Sequence, residues 1–325
     1  MVSGLGGELD DRSIPKAHSC NSLVAIMLGR LRMSIEEAID GLITVAITVF
    51  LGGSWDPNAA EGNSKRLKEA IEDLLRTRGI PTATKMHERD APHPTCKVSV
   101  CYLHYLFPQL NFSRLLYAAT SANTNHPQAF CTYSPRGYAL NPTIVEALCA
   151  TMTIPSLFSP VKIGRRLREQ SFIGGPLGGN NPTRELLNEA RSIFGADRRV
   201  AQIISIGSGL PRVLSMESPT NVDAVHRLLT EIATDCEGVA RELFTRLFNI
   251  DAYLRLNVDR GMEDITVQDW GRLGDIESHT TAYIATTVVT QALDGSIRRM
   301  VKKKGMVSLG QLSEYPRVKN CVRGT

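Results

Sequence analysis

Short apolar runs alternate along this chain with amphipathic helical segments, and this alternation limits the fold more than any other feature. Residues 201–209, AQIISIGSG, form an uncharged β-like run that ends in a glycine turn. Residues 64–78 place Leu67, Ile71 and Leu74 on one side of a helix. Because strands that alternate with helices usually build a parallel sheet covered on both faces, the sequence predicts an α/β domain with a mostly parallel sheet.

Local patterns predict the individual elements. We expect residues 22–31 to form a helix that is buried all round, since nearly every position through Leu28 is apolar. Ser34 and Glu37 have the spacing of a capping box, which predicts a second helix. The other predicted elements are a loop over 52–63, strands over 96–100 and 130–135, a helix over 143–150, and helical structure from 221 onward with a loop near 257–265.

Composition and charge suit an ordinary soluble globule. The 325 residues are 42% apolar and 22% charged, and the net charge of +4 is too small to indicate nucleic-acid binding. The seven cysteines form no C-x-x-C pair, so we interpret them as reduced thiols and expect neither a zinc site nor a disulfide framework. The start of the chain lacks the apolar core of a signal peptide, and the most apolar run, residues 41–53, is too short to span a bilayer. We therefore expect a cytoplasmic protein.

Residues 102–118, YLHYLFPQLNFSRLLYA, fit this scheme badly. The segment is rich in aromatic residues and leucine, has Pro108 in its middle, and follows neither a helical nor an alternating period. One interpretation is a buried or lid-like insertion. The other is a segment foreign to the fold, such as a retained intron in the gene model, and the sequence favours neither of the two.

Residues 171–186, SFIGGPLGGNNPTREL, concentrate turn-forming residues in one place. Phe172 and Ile173 end a β-like run, two Gly-Gly pairs follow, and an Asn-Asn-Pro turn precedes an amphipathic helix. Loops at the ends of strands are where α/β proteins commonly build their sites, so this stretch is a candidate functional site.

Several stretches, taken in order, resemble one family. They are SLVAIMLGRLRMSIEEAID, ATSANT…FCTYSPRG, NNPTRELLNEARSIFG, IISIGSG and LRLNVDRGMEDI. Their order and spacing resemble a fungal patatin-like phospholipase domain over about residues 17–295. The resemblance implies a three-layer α/β/α domain, with a disordered segment outside the family at 1–16 and a basic C-terminal tail at 296–325.

The resemblance implies a serine acyl-ester hydrolase of lipid metabolism with a Ser–Asp dyad, which needs no metal or other cofactor. Such a site requires a sharp glycine turn that exposes the serine, a base that accepts its proton, and backbone N–H donors for the oxyanion. In the family register Ser19 is the candidate nucleophile, although Ala17, Asn21 and Ser22 replace the glycines of the turn. The alternative interpretation is that Ser19 caps the helix that begins near Ser22.

The acid of the dyad is lost in this register. The family motif F-I-D-G-G-L-G-x-N-N-P corresponds to Phe172–Pro182, which puts Gly174 at the position of the aspartate. Glycine cannot accept a proton. Gly175, Asn180 and Asn181 retain the turn, and we expect the asparagines to bond backbone groups there.

Two hypotheses of function therefore stay open. No counterpart of the family's oxyanion loop precedes Ser19, and we expect the first strand to be missing with it. His18 and Asp197 are the remaining candidates for a substitute base, and Ser208 has no expected catalytic role. The first hypothesis is an impaired serine acyl hydrolase of membrane or storage lipid, with Ser19 as nucleophile and a substitute base, whose partner is an acyl lipid or a membrane surface. The second is an inactive module with protein partners in a larger multidomain context, or a truncated gene product.

Overall fold

The structure of the chain is a computed structural model, and its contacts divide it into two compact units. Unit 1 comprises residues 1–180, 208–236 and 258–279, and unit 2 comprises residues 181–207, 237–257 and 280–325. The residues that the structure describes are 21–51, 56, 59–87, 96–105, 128–133, 140–154, 157–164, 169–174, 181–210, 235–247, 250–265, 269–302 and 305–313. The segment predicted to be disordered, 1–16, lies outside them.

The described strands of unit 1 form a sheet in which every pair is antiparallel, which contradicts the predicted mostly parallel sheet. Its strands run in the order β2-β1-β4-β3 and are β1 (Ser99–Tyr105), β2 (Gln128–Cys131), β3 (Val161–Ile163) and β4 (Gln170–Gly174). Residues 164–169 are all that separates β3 from β4, and a parallel crossover needs about a dozen residues or more. The short connection therefore dictates antiparallel pairing.

Helices pack beside this sheet. They are α1 (Asn21–Ala25), which continues as a π-helical turn over Ile26–Arg30, α2 (Ile35–Ala46), which continues likewise over Ile47–Leu51, α3 (Ala60–Thr77) and α4 (Ile144–Met152). The predicted helix over 22–31 is confirmed, but Leu28 is 38% exposed, so the expectation of burial all round is wrong. The loop predicted over 52–63 ends earlier, because α3 begins at Ala60.

Two reciprocal caps define the starts of α2 and α4. Ser34 Oγ accepts a hydrogen bond from the Glu37 N–H at 3.1 Å, and Glu37 Oε2 accepts one from the Ser34 N–H at 2.8 Å. Thr143 and Glu146 make the same pair of bonds before α4. The predicted capping box at Ser34 is therefore confirmed, since each partner satisfies a backbone donor that the first turn leaves free.

The core of unit 1 lies where α1, α3 and α4 meet the sheet. Leu23, Ile71 and Leu148 are fully buried in it, one from each helix. Phe130 of β2 and Phe172 of β4 pack edge to face with ring centroids 5.5 Å apart. This packing sets the end of β4 against the end of α4.

The first four residues of the segment 102–118 belong to the centre of the sheet. Tyr102–Tyr105 form the second half of β1 and pair with Ser171–Gly174 of β4 in antiparallel register. These four residues are therefore part of the sheet. Residues 106–118 lie outside the described residues.

Among its described residues, unit 2 has one parallel and one antiparallel strand pair. Its elements are α5 (Thr183–Phe194), β5 (Arg199–Val200), β6 (Ile203–Ile206), α6 (Glu237–Leu247), β7 (Tyr253–Leu256), α8 (Thr287–Lys302), β8 (Val307–Ser308) and α9 (Leu309–Ser313), and α7 (Leu273–Ile284) begins in unit 1 and ends in unit 2. β6 pairs with β7 in parallel and β5 with β8 antiparallel. The predicted parallel strand in IISI is confirmed, but Ile206 is 70% exposed, so this strand is not buried on both faces.

Folded structure extends into the predicted basic tail. Residues 296–302 belong to α8, and β8 and α9 follow, with Val307, Leu309 and Leu312 buried in the core of unit 2. Residues 314–325 lie outside the described residues. None of the helices in the described stretches has the length and apolarity that crossing a bilayer requires.

Candidate functional site

The residues predicted for the catalytic dyad are only partly described. Ser19, Gly175 and Asn180 lie outside the described residues, as does His18. Gly174 ends β4 in unit 1, whereas Asn181 precedes α5 in unit 2. The structure thus describes two strand ends with candidate residues: the end of β4, and the carboxyl ends of the parallel pair β6 and β7.

The backbone of Gly174 is fixed against the end of α4. Its N–H donates a hydrogen bond to the carbonyl oxygen of Thr153 at 2.7 Å. Thr151 and Thr153 are buried, and their hydroxyls donate to the carbonyls of Leu148 and Cys149 at 3.1 and 2.7 Å. These bonds hold the last turn of α4 in place, so its carbonyl groups form a rigid wall beside Gly174.

That wall leaves no space for a side chain at position 174. A Cβ atom built on Gly174 would lie 2.6 Å from the carbonyl oxygen of Thr151 and 2.6 Å from that of Thr153. Both atoms belong to the backbone, so neither can swing away as the end of a flexible side chain would. The position that the family register assigns to an aspartate therefore accommodates glycine alone without a backbone shift.

A groove of about 650 Å³ lies next to this strand end in unit 1, lined by residues that include Leu67, Lys68, Cys149, Thr153 and Val161. The thiol of Cys149 is its most obvious nucleophile. Burial raises the pKa of Cys149 from 9.0 to about 12. The reactive form of cysteine is the thiolate, so Cys149 is chemically inert at neutral pH.

A hydrogen-bonded group of polar residues occupies the carboxyl ends of β6 and β7 in unit 2. We call it the β6–β7 polar cluster, and its members are Asn181, Thr183, Ser205, Glu237, Arg255 and Asn257. Ser205 lies within β6 and Arg255 within β7, and their side chains point to the same side of the pair. Ligands of open α/β sheets bind at such carboxyl ends, which makes the cluster a candidate site by position.

An ion pair forms the centre of the cluster. Glu237 Oε1 accepts hydrogen bonds from Arg255 Nε at 3.2 Å, from Arg255 Nη2 at 2.9 Å and from Asn257 Nδ2 at 2.8 Å. The Arg255 side chain is only 11% exposed and that of Glu237 is 28% exposed. Charged donors and acceptors with little water around them make strong bonds, so this pair joins the start of α6 firmly to β7.

Hydroxyl and amide groups extend the cluster to α5. Arg255 Nη1 donates to Ser205 Oγ at 3.0 Å, and Ser205 Oγ lies 3.2 Å from Thr183 Oγ1. Thr183 donates its hydroxyl proton to Asn181 Oδ1 at 2.6 Å, and the Thr183 N–H donates to the same oxygen at 3.3 Å. Asn181 thus bonds a backbone group in the turn, as predicted, and also anchors the side chains behind it.

Gly207 closes the cluster at the end of β6. Its N–H donates to the carbonyl of Leu256 at 2.7 Å. A Cβ atom here would lie 2.3 Å from Asn257 Oδ1 and 2.6 Å from Arg255 Nη2. The glycine turn after IISI therefore exists because two polar side chains pack directly on the backbone.

The hydrogen bonds of the β6–β7 polar cluster hold the elements of unit 2 together, and the groups around Ser205 do not suit acyl transfer by a serine. Nucleophilic catalysis by serine requires a neighbouring base that accepts the hydroxyl proton. The described groups within hydrogen-bond distance of Ser205 Oγ are Arg255, Thr183 and Asn181, which are a cation, a hydroxyl and an amide. None of these three accepts a proton at neutral pH.

The structure also describes the two remaining sequence candidates, Asp197 and Ser208. Asp197 is exposed in the turn between α5 and β5. Ser208 lies just after the end of β6, in the predicted strand-end turn.

Sequence reasoning missed Thr183, Ser205, Glu237, Arg255 and Asn257 as a group. A usable signal was present, because Ser205 and Arg255 are polar residues inside the otherwise apolar strands IISI and YLRL. A polar residue on the inner side of a strand must find a partner there. What the sequence could not give was the identity of those partners, which lie 18 to 50 positions away along the chain.

Comparison with known proteins does not assign the chain to a family. No protein-family model matches it, and no curated protein matches it either.

Proposed function

We propose that this chain is a patatin-like domain derived from the serine acyl hydrolases of lipid metabolism, and that its ester hydrolysis is strongly impaired. The family part of the proposal rests on the ordered sequence stretches between residues 17 and 295. The impairment rests on one observation: the carbonyl oxygens of Thr151 and Thr153 occupy the space that a side chain at Gly174 would need.

The size of the expected loss follows from the glycine at position 174, where the family register has the proton-accepting aspartate. A general base commonly contributes about 10²–10⁴-fold to the rate. We therefore expect hydrolysis about 10²–10⁴-fold slower than at an intact Ser–Asp site, even if Ser19 occupies the nucleophile position.

The alternative is an inactive patatin-like interaction module. One observation favours it over a rearranged hydrolase: the best-formed polar cluster among the described residues holds Ser205 between a cation, a hydroxyl and an amide, with no base beside it. The two versions differ in whether any Ser19-dependent turnover remains.

Hydrolysis of a short-chain p-nitrophenyl ester, together with labelling by a fluorophosphonate, tests the proposal. The wild type, Ser19→Ala, Gly174→Asp and Gly174→Ala are compared. We expect weak or no turnover by the wild type, and no rescue by Gly174→Asp. Gly174→Ala is the matched control, because it adds the same Cβ atom without a carboxylate and shows how much of any effect comes from the steric clash.

Each outcome has a distinct meaning. Slow turnover and labelling that Ser19→Ala abolishes support an impaired hydrolase, and the absence of both supports the inactive module. A wild-type rate typical of serine esterases that depends on Ser19 would overturn the impairment. Efficient turnover by Gly174→Asp would show that the backbone carbonyls beside Gly174 can shift to admit a side chain. That result would contradict the steric argument.

A further inference from the structure

We propose that the end of α8 is a docking surface for an anionic phospholipid bilayer. The surface consists of Ile297, Arg298, Met300, Val301 and Lys302 at the end of the helix, with Met306 just beyond it, and we call it the α8 patch. All six residues are exposed. The inference goes beyond the proposed function, since it concerns where the protein binds and holds whether or not the chain hydrolyses esters.

The apolar part of the patch is unusual for a surface helix. Val301 is 74% exposed, Ile297 and Met306 are each 51% exposed, and Met300 is 43% exposed. Single exposed apolar residues are ordinary, but several at the end of one helix mark an interaction surface. Helical geometry brings Ile297, Met300 and Val301 together, because they are three and four positions apart.

Basic residues surround these apolar side chains. Arg298 and Lys302 lie four positions apart on the exposed side of α8, so they form a row beside Ile297 and Val301. Arg199 adds a further guanidinium group, whose Nε and Nη2 donate to the carbonyls of Gly305 and Met306 at 2.9 and 3.2 Å. Arg198 lies next to Arg199 and is also exposed.

The neighbouring acids do not cancel this charge. Asp251 is paired with Arg299, on the side of α8 that faces β7. Asp294 precedes Arg298 by one turn, and Asp197 precedes Arg198. Against these three acids stand five basic residues: Arg198, Arg199, Arg298, Arg299 and Lys302.

The combination of exposed apolar and basic side chains in the α8 patch indicates the class of partner. Arginine and lysine bind lipid phosphate and serine headgroups, and an apolar side chain between them gains free energy by entering the acyl boundary. An acidic protein would need an apolar patch that matches these side chains in shape, whereas the acyl boundary of a bilayer accommodates them without shape complementarity. We therefore assign a bilayer with anionic headgroups, and treat a protein partner as an outcome of the test.

Cosedimentation of the full chain with phospholipid vesicles tests the assignment. Vesicles of phosphatidylcholine alone are compared with vesicles that also contain phosphatidylserine, at low and at high salt. We expect binding to the vesicles with phosphatidylserine only, and we expect high salt to weaken it, because salt screens charges at a surface.

Two double variants separate the contributions. One basic residue near an anionic surface contributes roughly fivefold to partitioning, so Arg298→Gln with Lys302→Gln is expected to weaken binding about 25-fold. Met300→Ser with Val301→Ser is expected to weaken it about tenfold, from the loss of apolar burial. Lys65→Gln with Lys68→Gln is the matched control: it removes two exposed lysines from α3 and is expected to leave binding unchanged.

Several results would overturn the assignment. They are equal binding with and without phosphatidylserine, unchanged binding by either α8 variant, and an equal loss in the α3 control. Failure to bind any vesicle, combined with α8-dependent capture of an acidic protein, would instead assign a protein partner and reject the bilayer. The experiment measures vesicle binding and not ester hydrolysis. A failure to bind vesicles would therefore leave the proposed function unaffected.

Discussion

Arg255 donates two hydrogen bonds to Glu237 Oε1, from Nε at 3.2 Å and from Nη2 at 2.9 Å. Its third nitrogen, Nη1, donates to Ser205 Oγ at 3.0 Å. One guanidinium group thereby connects β6, β7 and the first turn of α6. The planar geometry of arginine permits three such bonds at once, and lysine has no equivalent arrangement. The β6–β7 polar cluster should therefore depend on both partners of this pair.

Glu237→Ala is expected to lower the free energy of unfolding by about 2–3 kcal/mol, because it leaves Arg255 and Asn257 without their shared acceptor. Glu237→Gln keeps one acceptor oxygen and is expected to cost less. Urea denaturation measures both. Asp275→Ala, which breaks the exposed Arg272–Asp275 pair, is the control and should change stability by less than about 0.5 kcal/mol. Equal effects at the two sites would contradict a special role for Arg255.

Gly207→Ala tests the packing at the end of β6. The added methyl group would lie 2.3 Å from Asn257 Oδ1, so we expect a loss of about 1–3 kcal/mol in the free energy of unfolding. Gly274→Ala serves as the control, since a Cβ atom there meets nothing within 4 Å. In the first turn of α7 the alanine should be neutral or stabilising by up to about 1 kcal/mol. Equal changes in the free energy of unfolding of the two variants would contradict the tight packing at Gly207.

Cys149 should resist alkylation in the native protein. Burial holds its pKa at about 12, so the reactive thiolate is rare near neutral pH. Cys96 is only partly buried and should react with iodoacetamide before Cys149 does. Peptide mapping by mass spectrometry after a short exposure measures the order of reaction, and early modification of Cys149 would contradict its burial.

The raised pKa of Cys149 also predicts how the free energy of unfolding changes with pH. The native pKa of Cys149 lies above its ordinary value of 9.0, so its contribution to stability is fully present below pH 9 and is lost as pH rises toward 12. Cys149→Ala should therefore lose less stability than the wild type when pH is raised above 9. Chemical denaturation at several pH values measures the difference, with Cys96→Ala for comparison.

Ser34→Ala removes the cap of α2. The Glu37 N–H loses its acceptor at 3.1 Å, and the expected cost is about 1 kcal/mol of unfolding free energy. Ser278→Ala makes the same change inside α7, where the hydroxyl merely donates to the Gly274 carbonyl at 2.8 Å. That bond contributes little to a helix, so the control should be neutral. A neutral Ser34→Ala would show that α2 does not need its cap.

Local features of this protein were predictable from the sequence because they depend on neighbours along the chain. The capping box of Ser34 and Glu37 spans three positions, and the amphipathic helix α3 follows from the period of Leu67, Ile71 and Leu74. The strand β6 was also predictable from its own residues, because IISI is an uncharged apolar run that ends in a glycine turn.

The sheet of unit 1 and both strand-end arrangements depend on contacts between distant parts of the chain. Period and composition indicate that β1 and β4 are strands, but not that Tyr102 pairs with Gly174. The proposed resemblance assigns the acid of the dyad to position 174, where the chain has glycine, and the tertiary packing of α4 leaves no space for a side chain there. Likewise, Glu237 is an ordinary surface acid in the sequence and becomes the acceptor of Arg255 only when α6 folds against β7. Such pairings are set by packing and by the need of buried polar groups for partners, and neither acts at short range along the chain.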